Sequence, residues 1–261
     1  LPIEPPPRLL GISSSGRVAS LRWEFAGQQP GSLERFLPTG LEGDPLVSIA
    51  ELPDGDGSDL SLGLLSSDGR FKRLPMSEVL DLSGRATSVV KLKEGVELAS
   101  ALICREHSDL VLVSDLGRIL RLPVNETTLP LMGRLAQGPM TMRLLPGEQL
   151  VGALCINVAE QDPTLFMVSG KGRMTRLDIT PLRRCQRGDL GCMGVNLGSD
   201  DDRIRGISNG DALIGLISDR SRHGRLETGE TALSSLGGDF TDQIDLRSGE
   251  AIRSVVPLTR R

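Results

Sequence analysis

Ser114-Asp115-Leu116-Gly117-Arg118-Ile119-Leu120-Arg121-Leu122 follows an apolar run at 110–113. It reads as a strand, a tight turn at Gly117 and a second strand that opens on arginine. Glycine suits such a turn because it adopts positive φ without a steric penalty. The unit recurs as Ser67-Asp68-Gly69-Arg70-Phe71-Lys72-Arg73-Leu74 and as Ser169-Gly170-Lys171-Gly172-Arg173-Met174-Thr175-Arg176-Leu177. Weaker copies stand at Ser15-Gly16-Arg17-Val18 and His223-Gly224-Arg225-Leu226. These Gly-Arg steps lie about fifty residues apart, at Gly16, Gly69, Gly117, Gly172 and Gly224. A second ladder interleaves with them: Gly43-Asp44, Gly95-Val96-Glu97, Gly147-Glu148, Gly198 before Asp200, Asp201 and Asp202, and Gly249-Glu250. Its steps are 52, 52, 51 and 51 residues. Each of its turns precedes an apolar strand. Two ladders with one period indicate structural repeats.

One unit runs from Gly95 to Gly147. Its expected strands are 98–104, 110–113, 118–124 and 140–144, with Pro146-Gly147 closing the unit. Four-stranded units repeated in this way build propeller-like folds. Helical periodicity is nearly absent, and only 77–82 suits a turn or two. The chain starts just before the Gly16 turn and ends on an extra apolar strand, 251–258. That strand is expected to pair beside 9–13, completing the first unit and closing five blades. Trp23, Phe25 and Phe36 read as packing groups, and Gly27-Gln28-Gln29-Pro30-Gly31 as a loop.

The 261 residues can form one all-β domain at 8–261, entered through a proline-rich linker at 1–7. The start at Leu1 behind such a linker suggests a piece of a longer polypeptide. No run is long and apolar enough to be a membrane helix. Cys104, Cys155, Cys185 and Cys192 form no Cys-x-x-Cys pair and read as reduced, inert thiols in a cytoplasmic setting, with no metal. The net charge is −4, yet of 30 basic residues only Lys72, Lys91, Lys93 and Lys171 are lysine. Arginine suits planar recognition of phosphate or carboxylate. A GC-rich genome gives the same bias.

The repeat resembles the C-terminal domain of the type IIA topoisomerase A subunits, those of DNA gyrase and topoisomerase IV. The resemblance rests on Ser/Asp-x-Gly-Arg-x-x-Arg-Leu, then Gly-Arg-x-x-x-Gly as in Gly133-Arg134-Leu135-Ala136-Gln137-Gly138, then Gly147-Glu148 and an apolar strand. It covers 8–258. It implies an all-β, five-bladed β-pinwheel, with four-stranded blades that exchange a strand between neighbours. It also implies binding and bending of duplex DNA. The implied partners are the parent's own catalytic core and the ATPase B subunit, and the setting is cytoplasmic and nucleoid-associated. The gyrase signature loop, Gln-basic-basic-Gly-Gly-basic-Gly, has its nearest match at Gln186-Arg187-Gly188-Asp189-Leu190-Gly191, which lacks a second basic residue and places Asp189 where a glycine belongs. That departure and the count of five blades lean toward topoisomerase IV.

Read by themselves, the arginines after each turn form a ring of positive charge. Arg70, Arg118 and Arg173 are equivalent, as are Arg73, Arg121 and Arg176. Arg85 and Arg134 add a second tier, and Lys72, Lys171 and Arg187 complete the expected DNA-binding set. Evenly spaced cations on a curved rim suit a bent phosphate backbone without base readout. The competing expectation is internal pairing with Asp68, Asp115 and Glu126. The run from Asp200 to Asp202 reads as a solvated turn. Aromatic content of 2% argues against single-strand binding, which relies on stacking. The chain has no tyrosine to attack DNA, no phosphate-binding loop and no catalytic constellation. This part of the chain is therefore expected to be non-catalytic and to hold no cofactor, within an ATP-dependent type II topoisomerase. A protein-interaction scaffold is the alternative, and a propeller enzyme the weakest reading.

Overall fold

The computed structural model describes residues 8–21, 37–82, 84–159 and 163–258. The proline-rich linker, Trp23, Phe25, Phe36 and the 27–31 loop lie outside the described residues. The chain divides into two compact units, one of residues 1–106 and 125–140, the other of 107–124 and 141–261.

The first unit holds β1 (Leu9–Ser13), β2 (Arg17–Leu21), β3 (Leu46–Glu51), β4 (Leu60–Ser66), β5 (Phe71–Pro75), β6 (Thr87–Ser88) and β7 (Leu98–Arg105). They form the sheets β3-β1-β2-β6 and β5-β4-β7. A 3₁₀ turn at Met76–Glu78 is what remains of the expected short helix. The core of this unit gathers Leu10, Ile12, Val18, Leu62, Leu64, Leu74 and Val89, all at most 1% exposed.

The second unit holds β8 (Asp109–Ser114), β9 (Arg118–Pro123), β10 (Leu150–Ile156), β11 (Thr164–Ser169), β12 (Arg173–Asp178), β13 (Cys192–Met193), β14 (Val195–Asn196), β15 (Ile204–Asn209), β16 (Leu213–Ser218), β17 (His223–Glu227), β18 (Leu233–Ser234), β19 (Gly238–Asp239), β20 (Asp242–Gln243) and β21 (Ile252–Pro257). Its main sheets are β10-β8-β9-β13, β15-β11-β12-β18 with β20 also on β12, and β17-β16-β21. Strands β8 and β11 are buried along their whole length, as their unbroken apolar runs require.

One pattern generates all five sheets. A hairpin pairs its first strand with a strand that arrives later in the chain: β3 on β1, β7 on β4, β10 on β8, β15 on β11 and β21 on β16. The register slips by a bulge beside the same serine in each hairpin: Ser13, Ser66, Ser114, Ser169 and Ser218. The second hairpin strand is then covered by a segment that follows the next hairpin. Strand β6 returns to β2, β13 to β9, and β18 and β20 to β12. Strand β5 receives isolated bridges, Arg70 to Met140 and Arg73 to Leu131. The expected strand at 140–144 is these bridges and one from Met142 to Asp189, because the segment touches its neighbours one residue at a time.

Two expectations are corrected. The C-terminal strand is not surplus: β21 pairs with β16 and completes the fifth sheet, while β1 already lies between β2 and β3. The fifth turn is not at Gly224, which lies inside β17. The turn residue is Ser221, at φ 57, and its N–H donates to Ser218 O at 3.0 Å. Gly16, Gly69, Gly117 and Gly172 make the same bond at 3.0 Å to Ser13, Ser66, Ser114 and Ser169. The position demands positive φ, which serine adopts at some cost.

Deleting 249–261 would strip β21 from β16, remove Ile252 from the core and expose Ile214 and Leu216. A loss on the order of 3 kcal/mol or more is expected, and an unchanged melting temperature would contradict the pairing. Gly117→Ala should cost about 1–2 kcal/mol or more in urea unfolding, since φ is +81° and an added Cβ would meet Val195 at 3.0 Å. Ser221→Gly should instead be neutral or stabilising by up to about 1 kcal/mol.

Candidate nucleic-acid interface

The Gly-turn geometry places an arginine at the start of each second hairpin strand. The Arg118 guanidinium donates Nε to Glu148 at 2.8 Å and pairs a second time with the same carboxylate through Nη2. It also donates to the carbonyls of Leu190 and Arg143. Both side chains are buried, at 8% and 0% exposure. Arg173 meets Asp202 in the same way, at 3.2 and 2.7 Å, with its guanidinium over the Phe240 ring. Arg222 donates to Glu250 at 2.6 Å. Each acid comes from the turn just before β10, β15 or β21, so the pair fastens that strand's entry to the hairpin. The first two sheets use other groups. Ser14 and Ser15 donate to Asp44, and Arg70 pairs with Asp68 at 3.3 Å.

These contacts hold the acids ionised. Burial pushes the Glu148 carboxyl upward, but hydrogen bonds from Arg118, the Leu145 N–H and Ser114 outweigh it and leave it below the ordinary carboxylate range. Burial acts in the same sense on Asp202, and Arg173 and Ser169 again lower it overall. Ser218, the Arg247 N–H and Arg222 hold Glu250 down to about 2. Asp202 is 2% exposed, so the run from Asp200 to Asp202 is a solvated turn only in its first two members.

The second arginine tier is also tied inward. Arg121 donates to Asp109 at 3.0 and 2.7 Å and to the carbonyls of Ile179, Thr180 and Leu182. Arg73 pairs with Glu106 at 2.5 Å, lies 4.0 Å from Glu126 and donates to Leu129 O. Arg176 donates to the carbonyls of Thr231 and Gly210. Lys72 is 1% exposed and donates to the carbonyls of Val89 and Arg134, and burial lowers its pKa to about 8. Four residues of the expected DNA-binding set, Lys72, Arg73, Arg118 and Arg121, are therefore buried. Arg70, Arg173 and Arg176 are half-buried.

The remaining members lie outside. Arg85 and Arg187 are exposed and belong to no ion pair among the described residues. Arg134 is partly exposed and pairs with Glu78 at 2.6 Å, and exposed Lys171 pairs with Asp201 at 2.6 Å. Sequence reasoning missed a group around Arg187. Residues 186–191 form a closed loop at the edge of β9. The Gln186 N–H bonds Asp189 Oδ2 at 2.9 Å, and Gly188 N–H bonds Thr141 O at 2.8 Å. Arg143 N–H bonds Asp189 O at 3.0 Å, and its Nε donates to Gly188 O. Exposed Arg143, Arg183, Arg184 and Arg187 thus meet on two adjoining segments. Only Arg184 is in an ion pair among the described residues, with Asp109 at 2.9 Å. Their signal in the sequence was the Arg-Arg-x-x-Arg run itself, outside the hairpin motif.

The chain matches the family model described as the DNA gyrase C-terminal domain, beta-propeller, over residues 64–105, 108–157 and 163–217. It belongs to the DNA gyrase C-terminal domain family. It is 31% identical to the DNA gyrase A subunit of Aminobacterium colombiense over 186 residues, which covers 70% of this chain and 22% of that protein. It is 30% identical to the DNA topoisomerase 4 A subunit of Synechocystis over 150 residues, covering 54% and 16%. The chain thus spans about a fifth of the length of these relatives. The solved structure of a DNA gyrase A C-terminal domain superposes with a TM-score of 0.79 at 19% identity, covering 97% of this chain and 83% of that one. The C-terminal domain of DNA topoisomerase IV gives 0.78 at 16%, covering 96% and 78%. The five sheets are the blades of this all-β, propeller-like fold. No helix among the described residues is long and apolar enough to cross a membrane.

Removing one partner of a buried ion pair leaves the other charge unpaired. Arg118→Ala in this gyrase-family domain should therefore cost about 3–5 kcal/mol of stability, read by chemical unfolding. An effect below about 1 kcal/mol would contradict the assigned role. Glu250 is held below its unfolded value, at about 2, so its contribution is full above about pH 4.5 and disappears as pH falls toward 2, and the lowered Glu148 and Asp202 act in the same direction. Glu250→Gln should flatten the loss of stability across that window, and an unaltered pH profile would count against the pair.

Proposed function

We propose that this domain binds duplex DNA and bends it on behalf of a type II topoisomerase A subunit, with little chiral wrapping. The observation that carries this reading is the cluster of Arg143, Arg183, Arg184 and Arg187 at the edge of β9. Four guanidinium groups, only one of them ion-paired among the described residues, suit a phosphate backbone, and the sparse aromatics suit a duplex over a single strand. Arg85, Arg134 and Lys171 supply further contacts, as do Lys91 and Lys93. The buried arginines organise the sheets and do not meet phosphate. The connection covering β12 carries Asp239, Asp242 and Asp245 and repels DNA, which limits the path.

The topoisomerase IV-like assignment rests on the 186–191 loop. Asp189 caps the loop on itself, and its flanking backbone is bonded to 141–143. That closed form presents one cation, Arg187, where the gyrase signature presents several. In this reading the parent chain supplies the catalytic tyrosine and the B subunit the ATPase, the domain itself holds no cofactor, and the setting is the nucleoid in the cytoplasm.

The combined variant Arg143→Ala, Arg183→Ala, Arg187→Ala should bind duplex DNA about tenfold or more weakly at low salt. The slope of log affinity against log salt should fall by about 0.9 for each phosphate no longer neutralised. Its melting temperature should stay near that of the parent. Equal affinity would refute the interface, and no duplex binding by the unaltered domain at low salt would favour the protein scaffold. A nicked plasmid religated in its presence should show little change in linking number, and a large positive writhe would overturn the topoisomerase IV-like assignment.

A further inference from the structure

The four cysteines are not equivalent: Cys104 is buried, Cys155 and Cys185 are partly exposed, and Cys192 is exposed. Cys185 and Cys192 bracket the 186–191 loop, and both abut the same strand. Cys185 N–H donates to Arg121 O at 2.8 Å, and Cys192 pairs with Ile119. Two positions along a strand span about 6.6 Å. Disulfide Cα separations run from about 4.4 to 6.8 Å. The contacts with Arg121 and Ile119 hold the ends at the edge of β9, and the loop's internal bond from Gln186 to Asp189 and its bond to Thr141 close the segment between them. The thiols also lie within electrostatic reach. Burial raises the Cys192 pKa first, a charge on Cys185 raises it further, and Arg183 opposes them.

We propose that Cys185 and Cys192 form a reversible disulfide that closes the 186–191 loop against β9 when a peroxide is present. Cys192, whose thiol burial makes less acidic than usual, acts second, as the resolving group. The Cys185 thiolate attacks a peroxide oxygen, the O–O bond breaks and Cys185 becomes a sulfenic acid, with the leaving oxygen protonated to water. Cys192 sulfur then attacks Cys185 sulfur. The S–S bond forms, the S–O bond breaks, and the departing hydroxide takes the Cys192 proton as a second water. Two thiols lose two electrons, and one peroxide becomes two waters. The covalent closure fixes the position of Arg187, so it would tune the proposed phosphate contact. That consequence rests on the DNA-binding reading, whereas formation of the disulfide does not.

The test is peroxide treatment of the whole chain, followed by alkylation and peptide mass analysis. Two of the four thiols should become unreactive. Trypsin should release the Cys185 peptide linked to the Cys192 peptide, two hydrogens lighter than their sum, and dithiothreitol should restore both thiols. In Cys192→Ser, Cys185 should stop at the sulfenic acid and be trapped by dimedone. Four alkylatable thiols after peroxide would overturn the proposal, as would a link from Cys185 to Cys104 or Cys155. Duplex affinity of the oxidised and reduced forms separates the two readings. An altered affinity supports the regulatory role. An unchanged affinity alongside the linked peptide would overturn that role and leave the disulfide chemistry established.

Discussion

Three of the five hairpins are fastened to a strand that arrives some thirty residues later, and the fastening is an arginine paired with a buried carboxylate. Arg118 with Glu148, Arg173 with Asp202 and Arg222 with Glu250 are the three copies. The turn sets this up. Positive φ at Gly117, Gly172 or Ser221 aims the next residue's side chain at the entry of the third strand. The serine four residues before the arginine accepts the arginine's N–H, at 3.2 Å for Ser114, Ser169 and Ser218 alike. A backbone bond at 2.8–2.9 Å adds to the joint: Asp115 to Gln149 O, Gly170 to Arg203 O and Asp219 to Ala251 O. Removing an ion from water costs several kcal/mol, and in the Arg118–Glu148 pair the carbonyls of Leu190 and Arg143 take further donors of the guanidinium and help to offset it. The equivalent joints of the first two sheets are made by Ser14 with Pro45 O and Ser67 with Glu97 O, also at 2.8 Å.

The same geometry divides the cations by role. An arginine that is buried and gives four of its five N–H donors to a carboxylate and two carbonyls is closed to phosphate. The arginines open to solvent sit on the connections between hairpins, where no repeat constraint holds them. Structure is thus carried by the periodic residues, and the proposed binding surface falls on the aperiodic ones. Such a surface is compatible with a negative net charge: many of the acids are partners of internal cations, and Asp239, Asp242 and Asp245 lie together on one connection.

The fold was legible because its determinants are periodic. Glycine at the turns, serine and aspartate before them, and unbroken apolar strands such as β8 all follow from backbone geometry at short range. The destination of the late strands was not. Sequence placed 251–258 beside 9–13 because it counted strands, whereas the bulge serines and the turn-to-entry bonds fix β21 on β16. The Ser221 turn was missed because the reading required glycine; the spacing from Ser218 to Arg222, shared with Ser114 and Arg118, marked it. The candidate site was half legible. Arg118 and Arg187 both stood in the expected DNA-binding set, and burial separates them. The acid that decides it, Glu148, lies thirty residues away and was read as a turn marker.

The central claim is that Arg118 and Glu148 act as one unit. A double-mutant cycle with Arg118→Met and Glu148→Gln, read by urea unfolding, measures their coupling directly. The account expects each single variant to be strongly destabilised and the double variant to recover much of the loss. The coupling energy should be on the order of 1.5–3 kcal/mol. Additive losses within about 0.5 kcal/mol would contradict it, because two residues that do not sense each other cannot be the joint that fastens the entry of β10 to its hairpin.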